Sequence, residues 1–190
     1  MKNLFSLLLL LPLLTCGPAD LEVEKSEDTS HLERNWETWD TCSQKPGDHP
    51  CNFKLVDQDG KEVELYDYYG KVVIIDLSTM WCGVCRSIAP LGKSLVEEYG
   101  SENLVWLTIL VEDESGLAPE QDDLQKWVSS YGAAPPVLGG DRSLIDPAAE
   151  TGYPVTGWPT LAVVNREMVL TNGLNGWSES YIRTWVENSL

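Results

Sequence analysis

The chain has 190 residues, of which 43% are hydrophobic and 23% charged, enough apolar material for one domain with a real core. Its 30 acidic residues outnumber 13 basic ones, for a formal net charge of -17 at pH 7, which argues against nucleic acid or a broad anionic membrane surface as a partner. The 5 cysteines and 2 histidines, His31 and His49, lack the four-ligand spacing of a structural zinc site, so neither a metal nor a cofactor is expected.

Lys2 followed by an apolar core from Leu4 to Leu14 reads as a signal segment over residues 1–15, too short to span a bilayer as a permanent helix. Leu13-Leu14-Thr15-Cys16 resembles a bacterial lipobox, which would make Cys16 a lipidated residue and tie the protein to a membrane. Cleavage after Gly17-Pro18-Ala19 is the competing reading, and it would release a soluble protein. Both readings export the chain to an extracytoplasmic compartment, where disulfides persist.

Residues 16–51 form the next unit. Residues 17–30 are acidic and nearly free of large apolar groups, as in a flexible tether, and Leu32, Trp36 and Trp39 follow with helical spacing. Cys42 and Cys51 flank a turn-rich segment, Ser43 to Pro50, and read as a structural disulfide; a second redox pair relaying electrons is the alternative.

Residues 52–190 carry the pattern of an α/β domain. Phe53 to Val56 and Glu62 to Leu65 flank Asp57-Gln58-Asp59-Gly60, a hairpin signature. A strand over 72–79 leads into a helix over 83–99 that ends at Gly100. Leu104 to Val111 is a second apolar strand, and Pro119 to Tyr131 a helix with Leu124, Trp127 and Val128 on one face. A short strand near Val137 and a helix over Pro147 to Thr151 come next. Leu161 to Val164 and Met168 to Leu170 form an antiparallel pair, and Ser178 caps a closing helix with Ile182 and Trp185 in the core.

The chemistry lies in Trp81-Cys82-Gly83-Val84-Cys85, at the strand-to-helix junction. One helical turn brings two cysteines within reach of a disulfide. At the helix start, unpaired N–H groups and the helix dipole favour a thiolate on Cys82, the group that attacks. That arrangement is a reversible dithiol/disulfide couple.

Around this motif the chain resembles the thioredoxin superfamily over roughly residues 52–190. Asp76, six residues before Cys82, matches the family's buried acid; Pro90 matches its kinking proline. Gly157-Trp158-Pro159-Thr160-Leu161 looks like the cis-proline segment, and Gly173 or Gly176 like the glycine before the last helix. The resemblance implies a thioredoxin-like α/β fold: a central mixed sheet flanked by helices, with an N-terminal hairpin and a central insertion. It implies that Cys82 attacks, Cys85 resolves the mixed disulfide and Asp76 relays the proton, while Trp81, Trp158 and Pro159 face the substrate. Burial would raise the acid towards the working pH.

Two departures matter. Gly-Val stands between the cysteines in place of Gly-Pro, which leaves the direction of electron flow open, and Trp158 stands where the family has a smaller residue. The hairpin and the long stretch from Cys85 to Pro159 are similar to the membrane-anchored branch that reduces apocytochrome c thiols. That branch often has a glutamate where Ile88 stands here. The expected activity is therefore thiol-disulfide exchange by a monomer acting on protein thiols and disulfides. Thr79-x-x-Cys82 also occurs in peroxiredoxins, which makes a thiol peroxidase the rival enzyme, although Ile75 stands where that family has proline. A redox-inactive binding module on the same fold is the rival outside enzymology, and retention of both motif cysteines counts against it.

Overall fold

The apolar run before the motif becomes the middle of a seven-stranded sheet. The computed structural model describes Trp39 and residues 41–190; the expected signal segment over residues 1–15, Cys16, the expected tether over residues 17–30, Leu32 and Trp36 lie outside the described residues. The strands are β1 (Lys54–Asp57), β2 (Glu62–Glu64), β3 (Val72–Thr79), β4 (Leu104–Glu112), β5 (Val137–Gly139), β6 (Thr160–Val164) and β7 (Leu170–Asn175). The helices are α1 (Gly83–Tyr99), α2 (Gln121–Tyr131) and α3 (Glu179–Ser189). Spatial order is β2-β1-β5-β4-β3-β6-β7. The β3–β4 and β4–β5 pairs are parallel, and the other four pairs antiparallel.

β3 and β4 are buried from end to end because both faces of the sheet are covered, and for that reason they read as mainly apolar runs without alternation, interrupted by Asp76 and Ser78 in β3 and by Thr108 in β4. On one face Val72 and Ile74 of β3 and Trp106 of β4 pack against Leu95 of α1 and Ile182 and Val186 of α3. Further along the same face, Leu110 and Val137 meet Leu124 and Trp127 of α2 and Cys85 and Ala89 of α1. The opposite face, with Val73, Ile75 and Leu77, is covered by Phe53, Leu65, Tyr153 and Met168. All three described α-helices thus share one face, and short 3-10 turns and irregular chain close the other.

The Cys42–Cys51 loop is part of that second cover. Gly47 N–H donates to Leu170 O at 2.8 Å, and Leu170 N–H to Asp48 O at 2.9 Å. Gln44 N–H donates to Ala149 O at 2.9 Å, and His49 Nδ1 lies 2.7 Å from Met168 O. Ala149 and Met168, each with φ of 57°, hold the left-handed backbone that non-glycine residues rarely adopt, and both carbonyls point at this loop. The Trp39 ring stacks on His49 at 3.6 Å. The domain's packing therefore begins before residue 52.

Three expected elements differ. No helix forms over Pro147 to Thr151; the Asp146 carboxylate accepts instead from the N–H groups of Ala148, Glu150 and Thr151, an Asx-type loop that competes with helical bonding. The last strand starts at Leu170 rather than Met168 because Met168 sits in the turn, and it runs on to Asn175. Ser178 occupies the cap position of α3, but its hydroxyl meets the Ser180 hydroxyl at 3.1 Å and not a backbone N–H.

Candidate functional site

β3 delivers the motif to the surface and α1 carries it back inward. Cys82 is the N-cap of α1, and its Sγ accepts from Cys85 N–H at 3.1 Å. That bond satisfies one of the free donors of the first helical turn and would stabilise negative charge on the sulfur when the pair is reduced. Cys82 and Cys85 are joined by a disulfide, with Cα atoms 5.3 Å apart. Cys85 has no exposure and Cys82 has 7%, whereas neighbouring Trp81 is 46% exposed. A partner can reach the pair only from the Cys82 side.

Asp76 lies on β3, on the face that α1 covers, with no exposure. Ser78 Oγ donates to one of its oxygens at 2.7 Å; Trp106 Nε1 and Thr108 Oγ1 donate to the other, both at 3.3 Å. Burial lifts its carboxyl to about 6, and the three donors hold it from rising further. Trp106 is itself fixed by Gly92 of α1, whose absent side chain makes room for the indole: a Cβ there would lie 2.5 Å from the ring. The motif helix and the buried acid are thus linked through one tryptophan.

Around the mouth, Trp81 Nε1–H donates to Glu112 Oε2 at 2.7 Å. Glu112 is 3% exposed at the end of β4, and its other oxygen pairs with Arg142. The Trp81 and Trp158 rings meet edge to face at 6.4 Å, a favourable aromatic geometry. Trp158 also packs on the cluster holding Cys82 and Cys85. The Trp158–Pro159 bond is cis, as is Pro135–Pro136. Arg86 on α1 donates from Nε to Met80 O at 2.6 Å and lies 5.3 Å from the Tyr131 ring centroid.

Cys82, Cys85, Trp81, Trp158 and Pro159 therefore meet in one place, with Asp76 buried under the same helix. Cys42 and Cys51 are joined by a disulfide on the loop described above, and Cys51 Sγ lies 3.9 Å from Glu150 O, away from the motif. Cys16 falls outside the described residues. Among the described residues, no group of three or more His, Cys, Asp or Glu side chains is placed to hold a metal ion, and no helix is long and apolar enough to cross a membrane. Sequence reasoning missed Glu112, Arg142, Trp106 and Gly92. An acid closing a nine-residue strand whose other residues are apolar except Thr108 was the one available signal for Glu112.

A family model described as the AhpC/TSA family matches residues 46–172. The thiol-disulfide oxidoreductase ResA of Bacillus subtilis (strain 168) is 29% identical over 142 residues, 74% of this chain and 73% of that protein. The exposed lipoprotein thioredoxin Etrx1 of Streptococcus pneumoniae strain TIGR4 superposes with a TM-score of 0.58 at 28% identity, over 73% of this chain and 99% of that one. A thiol:disulfide interchange protein of the thioredoxin family from Chlorobium tepidum TLS shares the fold, with a TM-score of 0.60 at 20% identity over 78% of this chain and 96% of that one.

Proposed function

The chain belongs to the AhpC/TSA family, within the thioredoxin superfamily, and on that premise we propose that it exchanges disulfides with protein substrates through Cys82 and Cys85, outside the cytoplasm. The observation that carries this reading is the asymmetric pair: a helix-capping Cys82 that keeps a small exposed edge, bonded to a Cys85 that has none. In the reducing direction, the Cys82 thiolate attacks one sulfur of a substrate disulfide. A Cys82–substrate bond forms, and the first substrate thiolate leaves. Cys85 gives its proton to Asp76, and its thiolate attacks Cys82 Sγ; the Cys82–Cys85 bond forms and the second substrate thiolate leaves. An acid lifted to about 6 is poised for that transfer near neutral pH. The reverse sequence oxidises a substrate dithiol by the same two steps.

Trp81, Trp158 and Pro159 form the surface against which an extended substrate segment lies. The Cys42–Cys51 bond is a structural staple on the loop-covered face. Export and a lipid anchor on Cys16 are supported by the short apolar N-terminal run and by the likeness to an exposed lipoprotein thioredoxin.

The test supplies reduced protein with insulin disulfides and, separately, with hydrogen peroxide. Insulin turnover that disappears in Cys82→Ser, with peroxide consumed no faster than by that variant, is expected. Peroxide turnover without insulin turnover would overturn the reading in favour of a thiol peroxidase.

A further inference from the structure

Trp106 and Thr108 stand two residues apart on β4, on the face that α1 covers, and so point the same way. The register sets Thr108 beside Asp76 and Trp106 beside Ile74, yet both side chains reach the same carboxylate oxygen of Asp76, Oδ2, at 3.3 Å. Ser78 Oγ lies 2.7 Å from the other oxygen, Oδ1. The indole is 1% exposed and fills the notch left by Gly92, where a Cβ would lie 2.5 Å from its Cγ and 2.7 Å from Cδ1 and Cδ2.

The three donors are not equivalent. The hydroxyls of Ser78 and Thr108 can donate to a charged carboxylate and turn to accept from a protonated one. An indole N–H can only donate, and the packing at Gly92 holds this one in place. It bonds more strongly to the charged form, so it discriminates most between ionised and neutral Asp76. It also decides where a proton sits. On Oδ2 the proton would compete with the indole N–H for the same oxygen. On Oδ1 it meets the Ser78 hydroxyl, which can accept at an ordinary O–H···O distance.

Apolar side chains of β6, α1 and α3 cover this side of the sheet. The titratable groups that pack here are Cys82 and Cys85 at the start of α1, with Tyr99 and Tyr131 at the edges. Arg86, Arg183 and Glu112 are taken up by Glu114, Glu98 and Trp81 respectively. None of these groups hydrogen-bonds Asp76, whose carboxyl is shifted by burial and by its three donors.

We propose that Trp106 is a positioning residue for disulfide exchange: its clamped N–H keeps Oδ2 of Asp76 as the charged oxygen and seats the proton released by Cys85 on Oδ1. This rests on the reading of Asp76 as the acceptor of that proton. In the resolving step the Cys85 S–H bond breaks and the proton goes to Oδ1. The sulfur's electron pair forms the bond to Cys82 Sγ, the bond from Cys82 to the substrate breaks, and the substrate thiolate leaves.

The test uses the full chain. In the oxidised protein, where the motif cysteines do not titrate, Asp76 is followed by carboxyl-carbon NMR. In the reduced protein, the resolving step is timed in a single turnover with insulin across the same pH range. Trp106→Phe should move the Asp76 midpoint upward by about half a pH unit or more, which roughly halves the ionised fraction at pH 6. Resolution should then slow about twofold or more at pH 6 and stay within about twofold of wild type at pH 8. Replacing Trp106 by benzothienylalanine, which keeps two fused rings against Gly92 and lacks the N–H, should give the same shifts even where Phe disturbs the fold. Thr108→Val removes a hydroxyl that can turn and should move the midpoint less than either. A midpoint that stays put or falls in the position-106 variants overturns the proposal, as does a Thr108→Val shift of equal size or an unmoved resolution profile. Asp76→Asn separates the two failures. If it leaves resolution unslowed at every pH, Asp76 takes no proton from Cys85 and both readings fall; if it slows resolution while the Trp106 variants shift nothing, only the role of Trp106 falls.

Discussion

Asp76→Asn is expected to stabilise the oxidised protein at pH 8 and to leave it nearly unchanged at pH 4. Asp76 is fully buried, and burial lifts its carboxyl from an ordinary 3.8 to about 6. Between those two values the folded state keeps a proton that the unfolded state has already lost. Stability from this group therefore falls as pH rises through the window, and the loss is complete above it. At about 1.4 kcal/mol per tenfold difference in proton affinity, the charged carboxylate costs the fold about 3 kcal/mol at pH 8. Asparagine removes the charge but keeps an oxygen to accept from Trp106 Nε1–H, and the Ser78 hydroxyl can turn to accept from its amide. Whatever those altered hydrogen bonds contribute is common to both pH values, so the change in the gap between the two proteins isolates the charge. Urea unfolding at pH 4 and pH 8 should show that gap widening by about 2.5 kcal/mol in favour of the variant. A gap that stays constant, or widens in favour of the wild type, refutes the reasoning.

Gly92→Ala should destabilise by roughly 1–3 kcal/mol through overpacking, since its Cβ would meet Trp106 Cγ at 2.5 Å; thermal melts check this, and an unchanged midpoint would show that α1 can shift freely. Replacing Cys42 and Cys51 together by serine should cost about 2.5 kcal/mol by the loop-entropy estimate while leaving the Cys82–Cys85 reduction potential unchanged; lost turnover in a folded variant would instead make that pair an electron relay. Trp158→Ala removes the edge-to-face partner of Trp81 and should change rates with protein disulfides more than rates with a small dithiol; an equal factor for both would remove Trp158 from the substrate surface.

Local signals and long-range ones were unequally readable. The strand at 72–79, the helix at 83–99 and its Gly100 terminus were legible because an apolar run, a cysteine at a helix start and a glycine at φ 85° are each decided within a few residues. The Asp146 loop was not, because a carboxylate bonding three nearby N–H groups leaves the same composition as a short helix. Asp76 could be recognised as a buried acid, but its partner Trp106 depends on the β3–β4 register, which pairs Ile74 with Trp106 and Asp76 with Thr108. Glu112, Trp81 and Arg142 come together from three separate segments, and no spacing in the chain announces that meeting. The same holds for Gln44 and Tyr153, whose side chains meet only because the disulfide loop docks on Leu170 and Ala149.

The central claim is that Cys82 is the attacking thiol and Cys85 the resolving one. It is tested most directly by trapping. Cys85→Ser and Cys82→Ser, each reduced and then mixed with an excess of a protein disulfide at neutral pH, are analysed by non-reducing gel and mass spectrometry. The account predicts that Cys85→Ser accumulates a stable mixed disulfide through Cys82, the cysteine reachable from solvent, and that Cys82→Ser accumulates none. A mixed disulfide through Cys85 in Cys82→Ser, with none in Cys85→Ser, would reverse the two roles and contradict the account.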